Sequence, residues 1–276
     1  MALVSAHFRT LLQYRAAALA GLGTQLFWGL IRVMIFEGFY SANVDAQPME
    51  LADVVTYVWL GQTFLVMLPW NMQSDVQALV RSGGVSYELL RPLDLYAAWF
   101  SRALAFRSAP TLLRAAPLLT IAILFLRMEG PDSWPAATAF VGAMAGALIL
   151  SCAITTILTV SLLWTLSGQG LTQIVTVSVM IFSGNIVPLP FFHKWAQPIL
   201  SFLPFRGLAD TPYRLYMGHI PPGDLLIALV HQLPGRSSCS SSASGYSPEG
   251  CATWSSREAS NDKRAIPLPP LRQHLH

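Results

Sequence analysis

The chain has 276 residues, of which 53% are hydrophobic and only 11% are charged. Soluble domains carry roughly a quarter of charged residues, so this chain has too few charges to cover a water-facing surface. A mean hydropathy of +0.49 agrees with that interpretation. The net charge of +3 gives no electrostatic support for a nucleic-acid partner. We therefore expect an all-α polytopic membrane protein that contacts membrane lipids and binds no nucleic acid.

Five apolar segments approach the roughly 20 residues that a helix needs to cross a bilayer. These predicted spans one to five cover about 16–36, 54–70, 109–126, 136–163 and 171–187. A sixth apolar segment begins near Asp224 and stops at Pro234, after too few residues to span. In span four, Gly142 and Gly146 have the spacing that lets another helix approach closely, so we predict a packing role for them. A chance pair in a helix rich in Gly and Ala is an equal alternative.

The distribution of arginine and lysine predicts which side faces the cytoplasm. Arg9 and Arg15 precede span one, whereas the loop between spans one and two has no basic residue. The segment between spans two and three carries four arginines, at positions 81, 91, 102 and 107. Because basic residues concentrate in cytoplasmic loops, the N-terminus and the loop between spans two and three are predicted to be cytoplasmic. We expect a multi-pass protein of the cell membrane, the inner or plasma membrane.

The stretch between spans five and six is apolar but is interrupted by prolines at positions 188, 190, 198, 204 and 212. Proline in a helix interior removes a hydrogen bond and breaks the helix, so the pieces are too short to cross. We predict short amphipathic helices at the outer interface. Trp195, Tyr213 and Tyr216 would lie at the headgroup level, which aromatic residues favour.

Sites for catalysis are missing from the sequence. Neither Lys194 nor Lys263 follows a glycine, so the chain has no nucleotide-binding P-loop. We expect no catalytic residue, no cofactor and no metal site, and we expect ATP hydrolysis to be supplied by another subunit. The charges inside the predicted spans are Arg32 and Arg114, which we place near span ends where long side chains can reach the interface. A structural role is favoured for both over a role in the translocation path.

The predicted cytoplasmic loop between spans two and three is the most informative stretch. Val76, Leu79 and Val80 follow a helical spacing, and the sequence Ser82-Gly83-Gly84 ends that pattern. A short amphipathic helix beside charges of both signs is typical of a docking surface for a soluble protein. An ordinary solvated loop is the alternative.

Residues 81–96, with the run Ser-Tyr-Glu-Leu-Leu-Arg-Pro-Leu-Asp-Leu-Tyr, resemble the ABC-2 type permeases, the membrane subunits of bacterial ABC exporters. The stretch 183–216 is similar to the segment that precedes the last span in that family. The resemblance covers about residues 1–233. It implies a six-helix permease that pairs with a second permease subunit, identical or related, and with two copies of a cytosolic ABC-type ATPase.

The resemblance also implies roles for parts of the chain. Residues 1–15 would form an amphipathic helix on the inner surface, and residues 16–233 would form the permease domain. The route for the cargo would lie between two permeases, lined by faces of spans one, two and five. The ATPase-coupling residues would be Ser86, Tyr87, Glu88, Leu89, Leu90, Arg91 and Pro92. A stand-alone secondary carrier or channel, and a membrane-embedded enzyme or assembly factor, are the other functions considered.

Residues 234–276 differ in composition from everything before them, and residues 237–247 are mostly serine. A disordered cytoplasmic tail is one interpretation. However, a helix that stops inside the bilayer exposes unsatisfied backbone to lipid. If the codons of residues 237–247 end in G or C, reading the same DNA in a shifted frame gives Leu or Val at most triplets. We therefore predict that the sixth helix is truncated by a frameshift and that the tail is disordered and out of frame.

Overall fold

The protein is all-helical in the part of the chain that its computed structural model describes. The described residues are 15–42, 47–70, 76, 78–79, 82, 84–85, 94–162, 169–230 and 232. They contain eight α-helices and short 3-10 turns, with no strand among them. The helices are α1 Arg15–Ala42, α2 Leu51–Thr63, α3 Leu95–Phe125, α4 Trp134–Ser161, α5 Gln169–Phe182, α6 Gln197–Phe202, α7 Asp210–Tyr216 and α8, residues 225–230. The all-α prediction is confirmed.

Two of the described helices are long and apolar enough to cross a membrane, over Tyr96–Phe125 in α3 and Trp134–Ser161 in α4. Their starts are fixed by side chains that satisfy free backbone donors. The Asp94 carboxylate accepts from the Tyr96 amide, and the Ser133 hydroxyl accepts from the Ala136 amide. The α5 segment Gly170–Phe182 is a shorter apolar helix.

Helix α3 begins earlier than predicted. Span three was expected to start at about residue 109, but the helix begins at Leu95. Residues 97–102 follow a helical pattern, but the charges of Arg102 and Arg107 placed the start of the predicted membrane span after them. Arg107 is only 2% exposed, because packing and hydrogen bonds within the bundle hold its guanidinium.

Helix α2 lies at the centre of the molecule. Every residue from Val54 to Thr63 is buried. On one side α1 approaches so closely that a β-carbon at Gly29 would overlap the Trp59 ring. Other sides of α2 pack against α3 and against Tyr213 of α7, whose ring centroid is 5.2 Å from that of Tyr57. This helix therefore forms the core around which α1, α3 and α7 are arranged.

Helix α2 ends before the predicted span does. Span two was expected to continue to Trp70, but the α-helix ends at Thr63 and a 3-10 turn covers Leu65–Met67. Leu68 is extended (φ −68°, ψ 150°), as expected for a residue that precedes a proline. The carbonyl groups of this segment therefore need partners outside the helix.

The segment after α5 is divided as the prolines predicted, with Pro198 in the first turn of α6 and Pro204 opening a 3-10 turn. Trp195 is 71% exposed. Tyr213 and Tyr216, by contrast, are buried within the protein, and their rings pack into the core cluster around α2. Their expected depth at the headgroup level stays a prediction.

The two glycines of α4 face the start of the sixth predicted span. A β-carbon at Gly142 would lie 3.3 Å from Leu225 Cδ2, and one at Gly146 would overlap the Gln232 side chain. Gln232 Nε2 donates to the carbonyl oxygens of Ala143 (3.2 Å) and Gly207 (2.8 Å). A side chain at position 146 would therefore displace Gln232, so these glycines suit the packing role proposed for them.

The described helix α8, residues 225–230 of the sixth predicted span, rises about 9 Å, compared with the ~30 Å hydrocarbon core. Residues 233–276 lie outside the described part of the chain, and the frameshift therefore stays a prediction.

Restoring the shifted frame after the Leu233 codon should extend this helix by roughly ten residues. We expect the restored protein to insert in larger amounts and to unfold at a higher temperature, because no helix end would then face lipid. Resequencing the DNA across that codon is the direct measurement. A confirmed sequence whose serine-rich tail is needed for transport would contradict the frameshift.

Candidate functional site

The seven residues predicted to contact the ATPase, 86–92, all lie outside the described part of the chain. The structure does describe residues beside them. Val76 and Val85 are buried in a cluster with Trp99 of α3, and Leu79 and Val160 pack against that cluster. The loop is therefore anchored at the N-terminal end of α3 and the C-terminal end of α4.

Arg107 holds the unwound end of the α2 segment. Its Nη1 atom donates to the Leu68 carbonyl oxygen, and its Nη2 atom donates to Thr155 Oγ1 of α4 at 2.6 Å. Leu68 is 1% exposed, so no water reaches this backbone. An unsatisfied carbonyl in such surroundings costs several kcal/mol, which the guanidinium prevents.

Two hydroxyl groups complete this set of contacts, which we call the Arg107 cluster. Ser151 of α4 donates to the Met67 carbonyl oxygen, and Thr176 of α5 donates to that of Trp70 at 3.2 Å. The end of the α2 segment is thus bound to three other helices. This role was not predicted from the sequence, although Pro69 near the end of an apolar segment indicates free carbonyl groups nearby.

A second polar centre, the Asp210 cluster, ties α2 to the segment after α5. Asp210 has no exposed surface; its carboxylate accepts from the Tyr57 hydroxyl (3.3 Å) and Arg206 Nε (3.1 Å), and it lies 3.9 Å from Arg214 Nη1. Burial raises the pKa of Asp210 above its usual value, whereas the charges of Arg214 and Arg206 oppose that shift. The Asp210 amide donates to the Ser183 carbonyl oxygen at 3.1 Å.

Arg32 of α1 joins the same region from the other side. Its Nη2 atom donates to the carbonyl oxygens of Asn185 and Ile186, the latter at 2.7 Å. The chain reverses there at Gly184, whose φ is +83°. A β-carbon at this position would lie 2.5 Å from the Tyr57 hydroxyl oxygen, so both the backbone and the space exclude a side chain. Arg32 was expected to reach toward the interface, but it holds backbone carbonyl groups instead.

Arg114 was also expected near a span end. It lies in the interior of α3, and its guanidinium covers Gly21 of α1, where an added β-carbon would lie 2.6 Å from Arg114 Cζ. The structural role that the sequence favoured fits both arginines better than a place in an open path. Among the described residues, no group of three or more acidic, histidine or cysteine side chains could hold a metal ion.

Most of the chain matches a known protein family. Residues 22–233, about three quarters of the chain, match the family described as ABC-2 family transporter protein. This chain belongs to the ABC-2 transporter family. Neither the comparison with curated proteins nor that with solved structures found a match. The resemblance inferred from the sequence motifs is confirmed.

Membership of the ABC-2 family makes the chain a membrane protein and a permease subunit of an ABC transporter. Such a subunit is the transmembrane component, not the ATP-binding one, and it associates with ABC ATPase subunits. The match ends at residue 233, one residue before the composition changes at Pro234.

Replacing the guanidinium of the Arg107 cluster should destabilise this permease. We expect Arg107→Leu to lower the free energy of unfolding by about 2–4 kcal/mol, since the buried Leu68 carbonyl and Thr155 hydroxyl lose their donor. The free energy of unfolding of Arg107→Lys should lie between those of Arg107→Leu and the unmodified protein, because an ammonium group lacks the planar fork of donors that serves two acceptors. Thermal unfolding of the purified protein in detergent measures the effect. The exposed Arg127→Leu is the control, and equal melting temperatures for the two Leu variants would contradict the role of Arg107.

Proposed function

We propose that this permease is the membrane-spanning subunit of an ATP-driven exporter. It would form the translocation path with a second permease subunit, identical or related, and would be coupled to two copies of a cytosolic ABC ATPase. The observation that carries the proposal is the family match, which includes both the 71–94 loop and the 183–216 segment. The buried cluster of Val76, Val85 and Trp99 supports it by giving that loop a firm base.

A second permease subunit would cover exposed apolar faces on α1 and α5. Met34 and Ile35 of α1 are 67% and 64% exposed, and Ile174 of α5 is 66% exposed. Span two was expected to contribute a third face, but residues 54–63 are buried within the chain. We therefore place the proposed path between copies of α1 and α5, with α2 as the support behind them.

The proposed orientation is that of a multi-pass protein of the cell membrane with a cytoplasmic N-terminus. If helices α1 to α4 cross the bilayer in turn, four of their ends share one side of the membrane. These are the start of α1, the end of α2, the start of α3 and the end of α4. That side carries the arginines before α1 and those between α2 and α3. The acidic loop between α1 and α2, and the segment from 183 to 224, would face outward.

Charge reversal in the loop tests the ATPase contact. We expect Glu88→Lys and Arg91→Glu each to reduce permease-dependent ATP hydrolysis by at least about tenfold, because a reversed charge at an interface costs about 1.4 kcal/mol or more. Membranes from cells that co-express the ATPase provide the assay, and the membrane-inserted amount of permease is measured in parallel.

Glu37→Lys is the matched control, since Glu37 is exposed near the C-terminal end of α1, on the proposed outer side of the membrane. It should leave ATP hydrolysis unchanged. Full activity in both loop variants would place the docking surface elsewhere on the permease.

Labelling of single cysteines tests the orientation. In a background with Cys152, Cys239 and Cys251 replaced by Ser, a membrane-impermeant maleimide added to intact cells should label Asp45→Cys and not Gly83→Cys. Permeabilised cells should label both, which shows that each cysteine is reactive. The reverse pattern in intact cells would overturn the orientation and the docking proposal together.

A further inference from the structure

A cavity of about 400 Å³ lies between the turn at 189–191, helix α6 and the stretch from 204 to 216. Prolines and leucines form its apolar walls. Its polar lining consists of Lys194, Gln197, Ser201, Arg206, Asp210 and Arg214. The cavity belongs neither to the coupling loop nor to the exposed faces of α1 and α5.

The lining of the cavity is positively charged. It has three cations and a single carboxylate, and Asp210 is already shared by Arg206 and Arg214. Arg206 uses its Nε atom for that contact, which leaves its two terminal nitrogens for another acceptor. Arg214 contributes its charge to the lining, with Nη1 3.9 Å from the Asp210 carboxylate. Guanidinium groups with free nitrogens bind phosphate through paired hydrogen bonds.

Helix α6 separates this cavity from an apolar surface. Ile199 and Phe202 are 56% and 86% exposed, and Trp195 just before the helix is 71% exposed. Gln197 and Ser201, one turn apart, line the cavity. A short helix with aromatic and aliphatic side chains outward and a cationic cavity behind it fits the headgroup level of a bilayer.

We propose that this cavity binds the phosphate group of an anionic phospholipid. Lys194, Arg206 and Arg214 would neutralise the phosphate, and the acyl chains would lie along the exposed side chains of α6. A soluble phosphate monoester carries at least as much negative charge as the phosphodiester of the lipid, but it has no acyl chains to contact that apolar surface. Assignment of the lipid to the outer leaflet rests on the proposed orientation, whereas binding itself does not.

The test uses the full chain in a neutral detergent, titrated with short-chain phosphatidylglycerol and, separately, with glycerol phosphate. We expect saturable binding of phosphatidylglycerol. Lys194→Gln and Arg214→Gln should each raise its Kd by about fivefold or more, the loss expected for one charge-assisted hydrogen bond to phosphate. Arg127→Gln, an exposed arginine outside the cavity, should leave the Kd unchanged. Equal melting temperatures for Lys194→Gln and the unmodified chain show that the fold is kept.

Each result decides the proposal. Unchanged binding of phosphatidylglycerol in both cavity variants would overturn it. Glycerol phosphate that binds as tightly as phosphatidylglycerol, and is weakened by the same variants, would overturn the lipid in favour of a soluble anion. Since detergent exposes both sides of the protein and no ATPase is present, failure of the exporter proposal would not alter these results.

Discussion

Backbone that leaves a helix inside an apolar interior must find hydrogen-bond partners in the protein, and the structure meets this requirement at two places. At the end of the α2 segment, Arg107, Ser151, Thr155 and Thr176 surround the carbonyl groups of residues 67–70. After α5, Arg32 holds the carbonyl groups of residues 185 and 186. Without the donors of the Arg107 cluster, the buried break after α2 would cost several kcal/mol. The short central helix and the folded segment after α5 depend on these two sets of donors.

The Arg107 cluster and the Asp210 cluster also fix α2 along its length. One end enters the loop that carries the predicted docking residues and is held by the Arg107 cluster. Nearer its other end, Tyr57 joins the Asp210 cluster, and Asp53 pairs with His219 at 2.9 Å. These contacts hold α2 to its neighbours near both of its ends. On the proposed mechanism, a displacement of the loop by the ATPase would therefore be carried by α2 toward the segment from 183 to 224.

Much of the fold could be predicted from the sequence, because span length and proline position act locally. The apolar segments became α1, α3, α4 and α5, and Pro198 and Pro204 begin new turns as expected. The roles of the charged and aromatic residues could not be predicted, since they depend on partners far along the chain. The burial of Arg107 could not be predicted, because its acceptors, the Leu68 carbonyl oxygen and Thr155 of α4, lie 39 and 48 positions away. The packing of Tyr213 on Tyr57 could not be predicted either, because the two residues are 156 positions apart in the sequence. The coupling residues 86–92 remain predictions.

The central claim is that this permease works with a second permease subunit and two ATPases, and the mass of the assembled complex tests it most directly. The full chain would be co-expressed with a candidate ABC ATPase subunit and released from membranes for native mass spectrometry. The proposed exporter predicts two permease subunits with two ATPase subunits, and dissociation of the ATPases when the loop residues are changed. A permease that is recovered alone, and that moves its cargo across vesicles without ATPase, would contradict the claim and establish a stand-alone carrier or channel.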